Sequence, residues 1–182
     1  MATAYVALLR GVNVGGKNKL PMRDLAALLA KAGCTDVRTY IQSGNAVFCA
    51  TPDLAKRIPQ VITEAIARKL GFRVPVVLRS DKEIQAVVDG NPFLKSVTDT
   101  KALHVGFLAD RPDPRRVAAL DPKRSPGDSF EVRGREIFFC LPNGFARTKL
   151  TNAYFDSTLA TFSTFRNWRT VQTLLEMTQP DH

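Results

Sequence analysis

Cysteine and histidine are scarce in this sequence of 182 residues, which has three of the former and two of the latter. The cysteines are odd in number, widely spaced and free of any Cys-x-x-Cys pair, so neither a disulfide framework nor a zinc site is expected. His104 lies in a predicted strand and His182 is terminal, so no Ser-His-Asp triad or two-histidine metal site can be assembled. We therefore expect reduced thiols, a cytoplasmic location and no metal.

Long apolar runs are also missing. Runs such as residues 5–9 and 137–141 are short, whereas a membrane-spanning helix needs roughly 18 consecutive apolar residues. No basic segment precedes an apolar stretch near residue 1, so no signal peptide is expected. The hydrophobic content of 45% and the charged content of 24% are ordinary for a globular protein. We expect a soluble protein without membrane association, and a monomer is favoured over an oligomer.

Acidic side chains are too few to balance the basic ones. The formal charge is +9 and the sequence pI is near 9.8. Residues 1–96 hold 14 basic and 7 acidic side chains, while residues 97–182 hold 12 and 10. A positive surface concentrates anions such as nucleic acid, nucleotides or acidic proteins, although a basic composition can also serve solubility alone.

The first half of the chain alternates strand and helix signals. Four apolar segments predict strands: residues 5–10, 37–41, 46–49 and 74–78. Pro21 and Thr51-Pro52 open two amphipathic helices, which end at Gly33 and Gly71. The run Ser80-Asp81-Lys82-Glu83 is a capping box that starts a third, short helix. The order β-α-β-β-α-β predicts a ferredoxin-like unit with an antiparallel sheet and both main helices on one face.

The second half repeats this order after a polar linker at residues 95–101. Strands are predicted at residues 103–108, 129–132 and 136–141, and helices at residues 113–120, 151–159 and 165–177. The sequence thus predicts an α/β protein of the α+β type with two ferredoxin-like subdomains and mainly antiparallel sheets. Their predicted bounds are residues 1–94 and 95–182.

The loop after the first strand is rich in glycine and lysine. Residues 11–18 read GVNVGGKN, which matches the Gly-x4-Gly-Lys spacing of a phosphate-binding loop. Glycine lets backbone N–H groups approach an anion, and lysine adds charge. Asn18 replaces the Ser or Thr that binds magnesium in nucleoside triphosphatases, which disfavours hydrolysis. An anion-cradling loop and a plain structural turn both remain open. The candidate anion-binding residues here are Arg10, Gly15, Gly16, Lys17 and Lys19.

A second basic group lies near the C-terminus and comprises Arg147, Lys149, Arg166 and Arg169. In the predicted helix at residues 165–177, Arg166, Arg169 and Thr170 share one face, which either binds phosphate or is an ordinary solvated face. Ligand sites tend to form where subdomains meet. We therefore expect Lys17 and at least two of these four residues to face one cleft, the alternative being separate clusters in solvent.

Catalytic patterns are poor. The carboxylates of Asp24, Asp53, Glu83 and Asp113 stand at helix starts, where capping explains them, and Ser43 lies in no nucleophile elbow. Base stacking on the sheet is disfavoured because Asn45 and Val47 occupy the positions of the aromatic residues of RNA-recognition modules. We name no catalytic residue and no cofactor. The favoured interpretation is non-enzymatic binding of nucleic acid or nucleotide phosphate through the Gly-rich loop. The alternative is an enzyme acting on a small phosphorylated substrate at that loop.

Four longer motifs resemble those of one bacterial family. They are LLRGVNVGGKN at residues 8–18, TYIQSGN at 39–45, TKLTN at 148–152 and RNWRTV at 166–171. The family is the one named domain of unknown function 1697, and the resemblance spans nearly the whole chain. It implies an α/β protein with two ferredoxin-like subdomains. Since the activity of the family is not established, it implies no catalytic residue.

We predict that Cys34, Cys49 and Cys140 are free thiols and that Cys140 is buried in a strand. Intact masses measured with and without reductant should then agree. A stable intramolecular disulfide would contradict both the thiol assignment and the cytoplasmic location that rests on it.

Overall fold

The computed structural model describes residues 1–180 and confirms the α/β class. Its first seven elements are β1 (Thr3–Leu9), α1 (Met22–Lys31), β2 (Thr35–Tyr40), β3 (Asn45–Ala50), α2 (Pro52–Leu70), β4 (Val76–Ser80) and α3 (Asp81–Asp89). The next seven are β5 (Leu103–Leu108), α4 (Pro114–Ala118), β6 (Ser129–Arg133), β7 (Glu136–Cys140), α5 (Asn152–Leu159), β8 (Ser163–Asn167) and α6 (Trp168–Thr178). Short 3-10 turns lie at Thr100–Ala102 and Phe145–Arg147.

The two sheets repeat one topology. Their strand orders are β2-β3-β1-β4 and β6-β7-β5-β8, and all neighbouring strands are antiparallel. Each sheet follows the β-α-β-β-α-β order of a ferredoxin-like unit, and each unit ends in a further helix, α3 or α6. The prediction of two ferredoxin-like subdomains is therefore confirmed.

The chain divides into two compact units. The first comprises Met1–Gln85 and the residues from Thr173 on, and the second comprises Ala86–Gln172. The division passes through α3 and α6, and the predicted linker at residues 95–101 lies inside the second unit. Whether residues 1–94 and 95–182 fold as separate domains stays a prediction.

The core of the first unit lies between one face of its sheet and helices α1 and α2. Ala7, Leu9 and Phe48 project from the sheet and are fully buried, as are the apolar stripes of the helices, Leu25, Leu29, Ile58, Ile62 and Ile66. The side chain of Thr51 accepts a hydrogen bond from Leu54 N at 3.3 Å, and Gly71 closes α2 with φ +79°. The predicted start and end signals of α2 are thus confirmed.

The core of the second unit is aromatic. Phe139 lies 4.9 Å from Phe165 and 5.5 Å from Phe155, measured between ring centroids. Gly106 leaves room for this cluster, because a Cβ there would come within 2.9 Å of the Phe165 ring. The edge-to-face arrangement of Phe139 and Phe155 adds a favourable electrostatic contact to the buried apolar area.

The prediction of one helix over residues 165–177 is wrong at its start. Residues 163–167 form β8, which pairs with β5 in a register that sets Arg166 opposite Val105. Asn167 Oδ1 then accepts a hydrogen bond from Thr170 N at 2.8 Å, so the helix begins only at Trp168. Thr164 and Phe165 favour a strand, and the Asn167 cap fixes the boundary. Arg166 therefore shares no helix face with Arg169 and Thr170.

The cysteines form no disulfide, as predicted. Cys34 is buried, and burial raises the pKa of its thiol to about 11. Cys140 lies in a strand, but the prediction that it is buried is wrong. It is half-buried because it ends β7 beside a cavity bounded by Ser96 and Pro142. Over the described residues, every helix is either too short or too polar to cross a lipid bilayer.

We predict that Gly44→Ala destabilises the protein by about 2–5 kcal/mol, since it combines backbone strain with overpacking. Gly44 has φ +85°, and a Cβ there would lie 2.7 Å from Val12 Cγ2 and 2.8 Å from Leu9 Cβ. The matched control is Gly71→Ala, which has a similar φ of +79° but meets no atom within 4 Å. It should cost only the left-handed penalty of about 1–2 kcal/mol. Equal losses in urea unfolding would contradict the close packing of Gly44.

Candidate functional site

Residues 11–19, which we call the basic finger, form an exposed loop between β1 and α1. Val12 and Leu20 are buried and anchor its base, while every residue from 14 to 19 is exposed. Five of its residues have positive φ, namely Gly11, Asn13, Gly15, Gly16 and Asn18. Glycine and asparagine tolerate this left-handed region best, so the composition of the finger follows from its backbone path.

The tip of the finger is a tight turn. Lys17 N donates to Val14 O at 3.0 Å, and Asn13 N donates to Asn18 O at 3.1 Å. Gly15 and Gly16 stand between them with φ +59° and +72°, as the central residues of a type I′ turn require. The tip of the finger is therefore a tight hairpin turn closed by an isolated antiparallel bridge between Val14 and Lys17.

This path differs from that of a phosphate-binding loop. In such loops the lysine stands at the start of the following helix, whose N-terminus helps to bind the phosphate. Here α1 begins only at Met22, with Pro21 as its N-cap. Lys17 is thus remote from the helix start in sequence, and the finger folds back on itself before α1 begins.

The side chain of Asn13 clamps the base of the finger. Its Nδ2 donates to Leu20 O at 2.8 Å and to Gln42 O at 2.6 Å, and its Oδ1 accepts from Leu20 N at 2.8 Å. Asn18 Nδ2 adds a single bond to Gly11 O at 3.0 Å. The clamp holds the two ends of the finger together and joins them to the turn between β2 and β3.

That turn, residues 41–44, is the second part of the site. Gly44 O accepts a hydrogen bond from Leu9 N at 2.9 Å. Asn45, which follows the turn, is fully buried and donates through Nδ2 to Tyr40 O at 3.1 Å and to Ser43 Oγ at 3.0 Å. The sequence singled out the motifs at residues 8–18 and 39–45 separately, and the structure brings them together as one paired-loop site.

The charge of the finger is uncompensated. Lys17 and Lys19 are exposed, and no carboxylate of the described residues lies within ion-pairing distance of either. Arg10 is half-buried at the base, where its backbone N–H donates to Pro75 O at 3.1 Å. Gly15 and Gly16 have open space around them, so a ligand can approach their backbone closely.

The second predicted basic group lies in the second unit. Arg147 and Lys149 are exposed, and their segment is held by Ser125, whose Oγ accepts from Lys149 N at 3.1 Å. Arg124 Nε donates to Lys149 O at 3.0 Å, and its guanidinium carbon lies 3.9 Å from the centroid of the Tyr154 ring. Sequence reasoning missed Arg124, since nothing in its neighbourhood along the chain signals contact with residue 149. Arg169 is exposed on α6.

Arg166 differs from the other predicted residues because it is buried, with 8% of its surface exposed. Its Nη1 donates to Thr164 Oγ1 at 2.7 Å and to Phe165 O at 2.9 Å, and burial lowers the pKa of its guanidinium to about 10. Arg79 holds the matching place in the first sheet, since it faces Val6 in the register as Arg166 faces Val105. Buried arginines thus belong to the repeated architecture. The common cleft of Lys17 with the C-terminal basic residues stays a prediction.

Side chains suited to metal binding or acid–base catalysis are scarce in the part of the chain that the structure describes. It contains no cluster of three or more His, Cys, Asp or Glu side chains that could hold a metal ion. Burial lowers the pKa of His104, whose ring is tilted against that of Phe145 at a centroid distance of 5.6 Å. Neither basic group contains a histidine.

The comparisons with known proteins concern family and fold. A family model described as "Protein of unknown function (DUF1697)" matches residues 2–138, so the motifs at residues 148–152 and 166–171 lie beyond it. The conserved bacterial protein SP0830 from Streptococcus pneumoniae has a solved structure similar to this chain. The TM-score is 0.76 at 24% sequence identity, and the match covers 98% of this chain and 100% of that one. At this identity the similarity shows the fold alone. No curated protein is significantly similar to the chain.

We predict that Asn13→Ala destabilises the protein by about 2–4 kcal/mol, because it removes three hydrogen bonds and places alanine at positive φ. Asn18→Ala is the matched control, since Asn18 has a similar φ but only one side-chain bond. Its cost should be about 1–2 kcal/mol. Chemical denaturation of both variants measures the difference, and equal costs would show that the Asn13 bonds contribute nothing to stability.

Proposed function

Because the chain belongs to the family described as protein of unknown function, DUF1697, we propose its function from the geometry of its own residues. We propose that the protein binds nucleic acid through the basic finger and catalyses no reaction there. The observation that carries the proposal is an ordered, exposed loop with two lysines that pair with no carboxylate of residues 1–180.

The order of the loop supports a binding role. A flexible loop loses conformational entropy when a ligand fixes it, whereas the Asn13 clamp has already fixed the finger in the unbound protein. Lys17 and Lys19 therefore need to order only their side chains when they contact phosphates. Gly15 and Gly16 can add backbone N–H contacts, which are common partners of phosphate oxygens.

The shape of the site favours an extended polyanion over a single nucleotide. Small ligands are usually held in concave pockets that enclose most of their surface. The finger is a convex projection, and two cavities of the first unit lie elsewhere. One, of about 720 Å³, is bordered by Thr3, Arg38 and Cys49, and the other, of about 530 Å³, lies between α1 and α2.

Nucleic acid fits the charged groups of the finger better than an acidic protein does. Lysine is depleted in protein–protein interfaces but is a common contact of nucleic-acid phosphates. The excess of 14 basic over 7 acidic side chains in residues 1–96 would add a long-range attraction to any nucleic acid near the finger.

We predict that Lys17→Ala/Lys19→Ala weakens binding to mixed-sequence DNA and RNA and flattens its salt dependence. Log K falls as log salt rises, and each lost phosphate contact should reduce the steepness of this slope by about one unit. The double variant should therefore reduce it by about two units. Fluorescence anisotropy at several salt concentrations measures both the affinity and the slope.

The control variant is Lys56→Ala/Lys82→Ala, which removes the same charge from exposed positions on α2 and α3. Its slope should stay close to that of the wild type. Absence of binding by the folded wild-type protein at low salt would refute the proposal. A slope that falls equally in both variants would refute the finger as the site and leave only a general charge effect.

A further inference from the structure

We propose that the nucleic acid is B-form DNA, and that the basic finger enters its major groove with Val14 and Ile41 against the methyl groups of thymine. This inference rests on the proposed function and adds a ligand class and a recognition mode to it. Lys17 and Lys19 would contact phosphates, while the two aliphatic side chains would contact base edges.

Ile41 is held in a strained conformation at an exposed place. Its φ of +49° lies in the left-handed region, where β-branched side chains are outliers. Its side chain is 51% exposed, so burial does not offset the strain. Glycine or asparagine would fill the position without this strain, as they do at five positions of the neighbouring finger. Strained residues of this kind cluster at binding sites, where the conformation itself is used.

Val14 provides a second exposed aliphatic group, on the loop that adjoins the one carrying Ile41. It is 63% exposed at the tip of the finger. Asn13, the residue before it, donates a hydrogen bond to Gln42 O, and Gln42 directly follows Ile41. The two aliphatic side chains therefore stand on neighbouring loops that one hydrogen bond joins, with Lys17 and Lys19 on the same finger.

The backbone form of the finger favours the major groove of B-DNA over an RNA duplex or a single strand. The major groove of B-DNA admits a two-stranded ribbon, and the finger, a hairpin turn closed by the isolated Val14–Lys17 bridge, has the same antiparallel form. The major groove of an RNA duplex is too deep and narrow for side chains to read. Single strands are usually bound by stacking bases on aromatic side chains, whereas the exposed apolar groups of the paired loops are aliphatic.

In the major groove, aliphatic side chains can recognise one particular group of the base pairs. The C5-methyl of thymine is the one apolar group that a base pair displays there, and apolar side chains recognise it by contact. Uracil differs from thymine only in lacking this methyl. Replacing thymine by uracil in a DNA duplex therefore tests the contact without changing a single phosphate.

The experiment compares binding to a short A·T-rich DNA duplex with binding to the same duplex in which uracil replaces thymine. Wild-type protein should bind the thymine duplex about fourfold more tightly for each methyl contacted. It should bind an RNA duplex and a single strand of the same sequence more weakly than the thymine duplex. The Val14→Ala/Ile41→Asn variant should bind the thymine and uracil duplexes equally.

Two controls separate recognition from folding. Ile41→Asn should raise the melting temperature, because asparagine tolerates the left-handed region, so the loss of thymine preference in Val14→Ala/Ile41→Asn cannot come from unfolding caused by the change at position 41. Leu94→Ala removes an exposed aliphatic side chain of the second unit and should keep the preference.

The outcomes distinguish the two proposals. Equal wild-type affinity for both duplexes, a preference that survives in Val14→Ala/Ile41→Asn, or tighter binding of RNA or single strands would overturn the groove inference. Each of these leaves nucleic-acid binding through Lys17 and Lys19 standing. Failure to bind any of the probes would overturn both.

Discussion

The site depends on the hydrogen bonds of one side-chain amide, that of Asn13. A loop with five positive φ angles and one isolated backbone bridge has no extended ladder to stabilise it, and its glycines lose much conformational freedom on folding. Asn13 supplies the missing cross-link, because its amide reaches both strands of the finger base and the adjoining turn. This link also holds the turn that contains Ile41 to the finger that carries Val14 and Lys17.

Much of the fold could be predicted from local signals. The caps of α2 and the Ser80–Glu83 capping box act over a few residues, so the sequence displays them directly. The order of strands and helices along the chain likewise follows from local apolar patterns. In the capping box, Ser80 N donates to Glu83 Oε2 at 2.8 Å and Glu83 N donates to Ser80 Oγ at 3.2 Å. Strand β8 was missed because its side chains also fit a helical face, and only its pairing with β5 decides between the two.

The candidate site was predictable in composition but not in arrangement. Glycine and lysine at residues 11–19 indicated an exposed basic loop, and that loop exists. The strain at Ile41 could not be foreseen, since isoleucine after Thr39 and Tyr40 indicates a continuing strand. Nor could the burial of Arg166, because a run with arginine, asparagine and threonine is typical of a surface. Both facts arise from tertiary context, which overrides the local preference of each residue.

The two sheets share more than a strand order. In each, an arginine of the last strand faces a valine of the first and is followed by the residue that caps the next helix, Ser80 or Asn167. Such a match is what a tandem duplication of one gene segment would leave. The connection between β5 and α4 is short, whereas the one between β1 and α1 carries the finger. In evolutionary terms, the finger distinguishes one repeat from the other, since the equivalent connection of the second repeat is short.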